Sequence, residues 1–306
     1  MRQGRAHRER GGATATQKPS WLKVRLPSRG EYFRVAEIVR SGRLHTICQS
    51  ARCPNIGECW ESRTATFLIL GDVCTRDCGF CAVAKGAPRP LDPGEPDRVA
   101  AAVAALGLAY AVVTSVTRDD LPDGGAAAFA AVLRAIRAVS PATRIEALIP
   151  DFGGGTAALE TVLAVRPEVL NHNLETTESL YPAIRRPRGN YRRSLGVLAA
   201  AKARGALTKS GLMVGLGESE ADVLRTFADL REAGCDLLTL GQYLRPSAAH
   251  APVARYYAPE EFEALAAAAR GAGFREVVAG PLVRSSYGAG RLFEAARDKD
   301  GAPCAT

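Results

Sequence analysis

The sequence lacks the features that identify membrane-spanning and exported proteins. No apolar run approaches the roughly 18 residues that a membrane-spanning helix needs, and residues 1–20 contain no apolar segment of the kind that a secretory signal carries. Histidine is also scarce, with four residues, and none has sequence neighbours that indicate proton transfer. We therefore expect a cytoplasmic protein, in a reducing compartment, whose chemistry does not depend on histidine.

An excess of charge of one sign is confined to the N-terminus. Lys and Arg outnumber Asp and Glu by 40 to 32, a net charge of +8, but residues 1–29 contain eight of the basic side chains and one acidic one, Glu9. We predict that residues 1–20 form a disordered basic arm, with a transit peptide as the less favoured alternative. Because the body is nearly neutral and only 6% of the residues are aromatic, a zinc-stabilised nucleic-acid-binding protein is disfavoured.

From residue 66 onward, short aliphatic runs alternate with longer amphipathic stretches. Since 47% of the 306 residues are apolar, the chain can bury a large core, and the alternation is typical of βα units around a parallel sheet. Six strands are predicted: 66–70, 109–115, 144–148, 168–174, 208–214 and 237–243. A seventh apolar run, 277–283, is predicted to be a terminal return strand.

The periodicity leaves two architectures open, a partial barrel and a doubly wound sheet. In both, functional side chains belong at the carboxyl ends of the strands. Polar residues cluster at three predicted strand ends: 114–120, 171–175 and 241–242. Within the first cluster, Arg118, Asp119 and Asp120 are expected either to orient a substrate or to cap a helix.

Six of the eight cysteines lie within 34 residues. Disulfides are disfavoured in a reducing compartment, so this clustering indicates metal or redox chemistry. Cys74, Cys78 and Cys81, the first trio, form a C-x3-C-x2-C loop directly after a predicted strand. Three thiolates can bind three irons of a 4Fe-4S cluster and leave the fourth iron without a protein ligand. A zinc site is the weaker alternative, because zinc normally takes four ligands.

Cys48, Cys53 and Cys59, the second trio, have C-x4-C-x5-C spacing. These intervals do not suit a zinc finger, and three further thiolates predict a second cluster. Cys235 is predicted to be a core thiol, and Cys304 has no expected role.

Several segments together resemble the lipoyl synthase family of the radical S-adenosylmethionine (SAM) superfamily over nearly the whole chain. The spacing of the first trio after a strand is that of the superfamily. The segments that narrow the resemblance are TATFLILGDVCTRDCGFCAV (64–83), VTSVTRDDLPDGGA (113–126), NHNLET (171–176), TKSGLMVGLGE (208–218), LTLGQYLRPS (238–247) and GPLVRSSY (280–287).

The resemblance implies an α/β fold, a partial (β/α)6 TIM-like barrel whose N- and C-terminal extensions surround an auxiliary iron-sulfur cluster. The implied regions are a disordered basic arm (1–20), an N-terminal extension with the auxiliary-cluster cysteines (21–63), a radical SAM core (64–274) and a C-terminal extension with the RSSY segment (275–306).

The resemblance also implies the ligands of two 4Fe-4S clusters. Cys74, Cys78 and Cys81 would bind the cluster that cleaves SAM. The second trio would bind the auxiliary cluster, with Ser286 of the RSSY segment as its fourth ligand, and these four residues form the expected catalytic set because that cluster is the sulfur donor. The expected SAM contacts are Asn173, Glu175, Lys209, Ser210 and Phe80.

The implied reaction inserts two sulfur atoms, at carbons 6 and 8 of a protein-bound octanoyl-lysine, to give the lipoyl cofactor. One SAM is consumed for each hydrogen abstraction, which ordinary acid-base side chains cannot perform on an unactivated C–H bond. The implied partners are octanoylated lipoyl carrier domains (2-oxoacid dehydrogenase E2 subunits and the glycine cleavage H protein) and a low-potential electron donor such as ferredoxin or flavodoxin, with neither nucleic acid nor membrane. Another radical SAM sulfur-inserting enzyme is the alternative of the same class.

Iron and sulfide analysis of anaerobically reconstituted protein tests the two-cluster interpretation. We expect about eight irons per chain, because each 4Fe-4S cluster holds four. Bound zinc without iron would reverse the choice in favour of the nucleic-acid-binding alternative.

Overall fold

The computed structural model describes residues 18–24, 27, 30–184 and 189–299. Most of the predicted basic arm, residues 1–17, lies outside them, as does Cys304. The strands are β1 (His45–Thr46), β2 (Thr66–Ile69), β3 (Val73–Cys74), β4 (Ala84–Lys85), β5 (Tyr110–Ser115), β6 (Arg144–Leu148), β7 (Val169–Asn171), β8 (Thr208–Val214), β9 (Leu237–Gln242) and β10 (Glu276–Gly280).

The α-helices lie mainly in the connections between strands. They are α1 (Gly30–Ser41), α2 (Ile47–Ser50), α3 (Ile56–Glu61), α4 (Glu95–Leu106), α5 (Ala126–Val139), α6 (Thr156–Leu163), α7 (Tyr181–Ile184), α8 (Tyr191–Ala203), α9 (Glu220–Glu232), α10 (Pro259–Gly271) and α11 (Ala289–Asp298). Among the described residues, no helix is both long enough and apolar enough to cross a membrane.

Eight strands form one sheet in the order β1-β2-β5-β6-β7-β8-β9-β10. Every pairing in it is parallel except that of β1 with β2, which is antiparallel. The six predicted strands are β2 and β5 to β9, and the predicted terminal strand is β10, which extends the same sheet beside β9. The sheet does not close on itself, so the predicted α/β fold, a partial TIM-like barrel, is confirmed.

The helix ends follow the sequence signals that predict them. Pro96 lies in the first turn of α4, and Gly107 ends that helix with a φ of 61°, a left-handed conformation that glycine adopts without strain. Ser219 and Asp222 form a reciprocal capping box at the start of α9.

The prediction of 168–174 as a strand is too long, because β7 spans only Val169–Asn171. The backbone pairing with β8 is interrupted after His172 and returns at Glu175, whose amide donates to the Gly211 carbonyl at 3.0 Å. The amide of Leu174 donates to the Ser210 hydroxyl instead of a backbone carbonyl, at 3.1 Å, and Glu175 has a φ of 74°.

The two faces of the sheet differ in polarity. One face packs apolar side chains such as Ile145 and Ala147 against α4, α5 and α6. The other, which we call the polar face, carries a buried ion pair in which Lys209 Nζ lies 2.8 Å from Glu146 Oε1. Tyr110 and Asn171 donate further hydrogen bonds to Glu146, at 2.9 and 2.7 Å. Four strands are thereby joined through one carboxylate.

Because of this ion pair, replacing one partner should destabilise the protein more than replacing both partners together. Lys209→Met leaves the Glu146 carboxylate buried without its cation and should destabilise the protein by about 3–5 kcal/mol, the usual cost of breaking a buried pair from one side. The double variant Lys209→Met/Glu146→Gln removes both charges and should recover much of that loss. Urea unfolding of the metal-free protein measures both, and a single variant as stable as the parent would contradict the account.

Candidate active site

The first trio lies on a short loop at the carboxyl end of β2. Cys74 is the last residue of β3, and β3 pairs with β4, so both ends of the loop are held together. Inside the loop, the amide of Cys81 donates to the carbonyl of Cys78 at 3.2 Å. His250 Nε2 lies 3.0 Å from the Cys81 carbonyl, so the segment after β9 packs against the same loop.

The thiols of this loop are placed to bind metal rather than to remain free. The pKa of Cys81 is raised to about 12, chiefly by burial and to a smaller extent by the nearby Cys78, Cys74 and Glu175. A thiol with such a pKa stays protonated near neutral pH, whereas iron would stabilise the thiolate directly. The effect of the Glu175 charge on the pKa of Cys81 also shows that Glu175, an expected SAM contact, lies near the first trio.

The second trio lies on the two short helices that follow β1 and on the turn between them. Thr46 caps α2 by accepting a hydrogen bond from the Gln49 amide at 3.3 Å, and the amide of Cys53 donates to the carbonyl of Cys48 at 2.9 Å. The pKa of Cys59 is raised to about 12, chiefly by burial and to a smaller extent by Cys48 and Cys53, so the three thiols lie near one another.

The two trios lie at opposite ends of β2. Cys48 is close to the backbone of Thr66, the first residue of β2, because β1 runs antiparallel to that strand. The loop of the first trio follows the last residue, Ile69. A rise of about 3.3 Å per residue makes this strand roughly 10 Å long. The expectation that chemistry belongs at the carboxyl ends therefore describes the first trio and not the second.

The RSSY segment, residues 280–287, packs beside the second trio, although the two are more than 220 residues apart in sequence. Asn55 Nδ2 donates to the Leu282 carbonyl at 2.7 Å, and the Tyr287 hydroxyl donates to Glu58 Oε1 at 2.8 Å. The charge of Arg284 also lowers the pKa of Cys53, although burial raises it overall. Ser286 lies in the turn between Arg284 and Tyr287. Its role as a cluster ligand stays a prediction.

The same segment also lies close to the polar face of the sheet. A methyl group added at Gly211 on β8 would lie 2.7 Å from Asn173 Oδ1 and 3.2 Å from Ser285 Cβ. One added at Gly241 on β9 would lie 2.1 Å from the Val283 carbonyl oxygen. Glycine at both positions therefore lets the RSSY segment approach the sheet closely.

Several buried polar atoms near the carboxyl ends of β5 and β7 have no hydrogen-bond partner within the described part of the chain, among them Ser115 Oγ, Asn171 Oδ1 and Asn173 Oδ1. Buried polar groups are normally paired, so these atoms are suited to a polar ligand. Glu175 adds a second indication, because its φ of 74° is unusual for a residue other than glycine, and such strain often occurs at functional sites.

The remaining expected SAM contacts have structural partners. Lys209 is bound to Glu146 in the ion pair described above. The Ser210 hydroxyl donates to the His172 carbonyl at 2.9 Å and accepts from the Leu174 amide. Phe80 packs against a small apolar cluster with Ile184, Leu216 and Tyr243. The placement of Lys209 and Ser210 lends their predicted SAM contact no support, and the contact of Phe80 stays a prediction.

Arg118, Asp119 and Asp120 are held by hydrogen bonds at the end of β5. Arg118 donates to Asp120 at 2.8 Å and to the carbonyl of Leu70, which follows β2, at 3.2 Å. Asp119 accepts two hydrogen bonds from Arg76, which lies inside the loop of the first trio. Asp119 therefore joins the end of β5 to that loop, whereas Arg118 joins it to the end of β2, and a role of these residues in orienting a substrate stays a prediction.

Arg76 also binds a second carboxylate, and sequence reasoning missed it. Its guanidinium donates to both oxygens of Asp151, at 2.7 and 3.0 Å. Burial by itself would raise the pKa of Asp151, but the hydrogen bonds and charge of Arg76 hold it well below its usual range. Arg76 stands between two cysteines of a recognisable motif, but the sequence carries no signal for its partners, which are 43 and 75 residues away.

The residues present fit iron-sulfur clusters. Each trio sets three cysteines, all buried or half-buried, on one short stretch of chain, and three thiolates can hold three irons of a 4Fe-4S cluster. Over the described ranges, no group of three or more His, Cys, Asp or Glu side chains converges on a single metal ion. A cubane distributes its irons over four corners, so its ligands do not need to converge on one point.

Comparisons with known proteins agree with this geometry. Residues 68–230 match the model of the Radical SAM superfamily. A lipoyl synthase of Rubrobacter xylanophilus is 56% identical over 92% of this chain and 88% of its own length. One from Thermus thermophilus is 57% identical, over 90% of this chain and 86% of its own length. One from Mycobacterium tuberculosis is 55% identical, over 92% and 90%.

The chain belongs to the lipoyl synthase family. Membership of this radical SAM family means that the chain is an enzyme that uses 4Fe-4S clusters and SAM. The zinc-stabilised nucleic-acid-binding alternative is therefore wrong.

More distant solved structures share the fold of this lipoyl synthase family member. HydG, a maturase of the [FeFe]-hydrogenase, is 14% identical, with a TM-score of 0.55 over 79% of this chain and 62% of its own. Streptococcus suis SuiB bound to precursor peptide SuiA is also 14% identical, with a TM-score of 0.54 over 76% and 53%. At this identity they support the architecture alone.

The close approach at Gly211 gives a prediction. The methyl group added by Gly211→Ala would push Asn173 and Ser285 away from β8. Overpacking of this kind usually costs about 1–3 kcal/mol of stability. The matched control is Gly196→Ala in α8, where an added methyl group meets nothing within 4 Å and helix propensity should raise stability slightly. Thermal unfolding of both variants measures the difference, and equal stabilities would contradict the close approach.

Proposed function

We propose that this chain inserts two sulfur atoms, at carbons 6 and 8 of an octanoyl chain attached to a lysine of a lipoyl carrier domain. The first trio holds the cluster that cleaves SAM. The second trio and Ser286 hold the auxiliary cluster, which supplies the sulfur. Its relatives at 55–57% identity over most of the chain are named lipoyl synthases, and this name supports the substrate class.

One observation carries the proposal. The RSSY segment contacts the second trio through Asn55 and Glu58, and it also approaches Asn173 on the polar face. A substrate chain held along this segment would have one thiol trio at each end. That arrangement suits a reaction in which hydrogen is removed by one centre and sulfur is supplied by the other.

The chain's own residues have three tasks around the clusters. When bound, the first cluster and SAM supply the radical chemistry that removes hydrogen from an unactivated C–H bond. Glu175, near the first trio, and Asn173, two residues before it, orient polar groups of SAM. The apolar cluster around Phe80 limits the access of water to the same loop.

Cationic side chains support the auxiliary site. Arg284 lies near Cys53, and Arg291 of α11 near Cys59, where each favours the thiolate over the thiol. Two cations beside three thiolates partly offset the negative charge that a thiolate-bound cluster carries. Ser286, two residues after Arg284, is placed in the same segment, and an oxygen ligand on an iron-sulfide core is more readily replaced than a thiolate.

The division of the chain follows from this function. We propose a basic arm (1–20), an N-terminal extension (21–63), a radical SAM core (64–274) and a C-terminal extension (275–306). The two extensions meet where Asn55 binds Leu282. The carriers are E2 subunits and the glycine cleavage H protein, the reductant is a ferredoxin or flavodoxin, and the reaction takes place in the cytoplasm.

Mass spectrometry of a model reaction tests the function. The reconstituted protein is incubated without oxygen with reductant, SAM and an octanoylated carrier or peptide. We expect the octanoyl group to gain two sulfurs and lose two hydrogens in the oxidised lipoyl product. Cleavage of SAM with the octanoyl group left intact would instead favour another radical SAM sulfur-inserting enzyme.

The role of Ser286 has its own test. Ser286→Ala should abolish lipoyl formation, because the auxiliary cluster loses its fourth ligand, while SAM binding at the first trio remains largely intact. Ser62→Ala, at an exposed serine that follows α3, is the control and should leave turnover unchanged. Unchanged lipoyl formation by Ser286→Ala would remove the proposed role.

A further inference from the structure

We propose that Arg76 is a positioning residue for the SAM site, which fixes the loop of the first trio relative to the carboxyl ends of β5 and β6. The inference deepens the proposed function and rests on the first trio as the ligand set of the SAM-cleaving cluster. It assigns a role to a side chain that binds neither iron nor SAM.

The position of Arg76 gives it direct control of the loop. It lies midway between Cys74 and Cys78, and its own amide donates to Cys74 Sγ at 3.4 Å. Its side chain is only 5% exposed. A movement of the guanidinium would therefore be transmitted through a few backbone bonds to two cluster ligands.

The partners of Arg76 come from two different strand ends. Asp119 follows β5 and Asp151 follows β6, and each carboxylate receives two hydrogen bonds of 2.7–3.0 Å from the same guanidinium. Paired hydrogen bonds fix direction as well as distance, since the guanidinium is a planar fork. Lysine, a single point charge, cannot reproduce this geometry.

Neighbouring hydrogen bonds fasten the same parts. The Thr75 amide donates to the Thr117 carbonyl at 3.1 Å, and the Asp119 amide donates to the Thr75 hydroxyl at 3.1 Å. The loop is therefore attached to segment 117–119 along its backbone, and Arg76 extends the attachment to β6. Ser115 Oγ, one of the unpartnered buried atoms, lies at the start of the attached segment.

The network is electrically balanced and should survive loss of Arg76. Arg193 on α8 also donates to Asp151, at 2.9 Å, and the Gly153 amide donates to it at 3.1 Å. Asp151, whose side chain is 0% exposed, thus keeps a cation after Arg76 is replaced, while the side chain of Asp119 is 20% exposed and can be hydrated. We therefore expect Arg76→Gln to fold and to bind iron.

The consequence is confined to the alignment of cluster and SAM. Without the paired hydrogen bonds of the Arg76 guanidinium, the loop and the ends of β5 and β6 move separately. The open iron and the groups that bind SAM then no longer keep a fixed separation. Loss of an orienting partner near a metal site usually costs about 10- to 100-fold in affinity or activity. The auxiliary cluster, at the other end of β2, should be unaffected.

The test compares Arg76→Gln, Arg76→Lys and the parent as anaerobically reconstituted, full-length proteins. Iron content is measured first. SAM is then titrated into the reduced proteins, and the change in the electron paramagnetic resonance spectrum gives an apparent dissociation constant. Arg204→Gln, which breaks an ion pair with Glu160, is the matched control.

We expect both Arg76 variants to bind as much iron as the parent and to require about tenfold or more SAM for half of the spectral change. The control should match the parent. A fully loaded Arg76→Gln with parental SAM affinity overturns the proposal, as does an equal loss in Arg204→Gln.

If Arg76→Gln fails to load iron, Asp119→Asn takes its place. It retains the bond between Arg76 and Asp151 and weakens only the link to β5, so a smaller loss of SAM affinity is expected and an unchanged affinity overturns the proposal. The titration needs no octanoyl substrate. Failure of the parent to make lipoyl would therefore count against the proposed function and leave this inference to its own result.

Discussion

The burial of two sets of thiols at the ends of one short strand is the constraint on which the rest of the structure depends. A buried thiolate is expensive without a nearby cation, and burial raises the pKa of Cys59 and of Cys81 to about 12. Iron reverses this preference, because a thiolate bound to metal no longer needs to be solvated by water. The trios are thus suited to clusters, and metal binding and folding are linked at both ends of β2.

The open sheet makes this arrangement possible. A closed barrel would have paired β2 with β10, whereas here β2 pairs with β1 and β5, and among the described strands β10 pairs with β9 alone. The polar face accordingly has room for the RSSY segment, which packs close to Gly211 and Gly241. Chain ends far apart in sequence then meet at the bond between Asn55 and Leu282, and the second trio gains its cationic neighbours.

The sequence predicted the local features well and the long-range ones poorly. The bounds of β6 and β8 match the predicted 144–148 and 208–214, because proline or glycine lies close to both ends of each segment. The end of β7 was missed, since it depends on a hydrogen bond from Leu174 to a hydroxyl on β8. Periodicity contains no information about such a partner.

For the candidate site too, the sequence predicted the local features and missed the long-range ones. Cysteine spacing identifies both trios, because the ligands of each are close in sequence. Nothing in the spacing places the trios at opposite ends of β2, which follows from the antiparallel course of β1. The partners of Arg76 and of Lys209 were missed for the same reason, as each lies 43 to 75 residues away on another strand or at its end.

The most direct test of the account labels the sulfide of the second trio's cluster and follows it to carbon. Protein reconstituted with heavy-isotope sulfide is given SAM, reductant and an octanoylated peptide for a single turnover, beside a variant in which Cys74, Cys78 and Cys81 are replaced by alanine. The account predicts labelled lipoyl from the parent and none from the variant, which should retain about four irons. Labelled lipoyl from the variant, or unlabelled lipoyl from the parent, would contradict it.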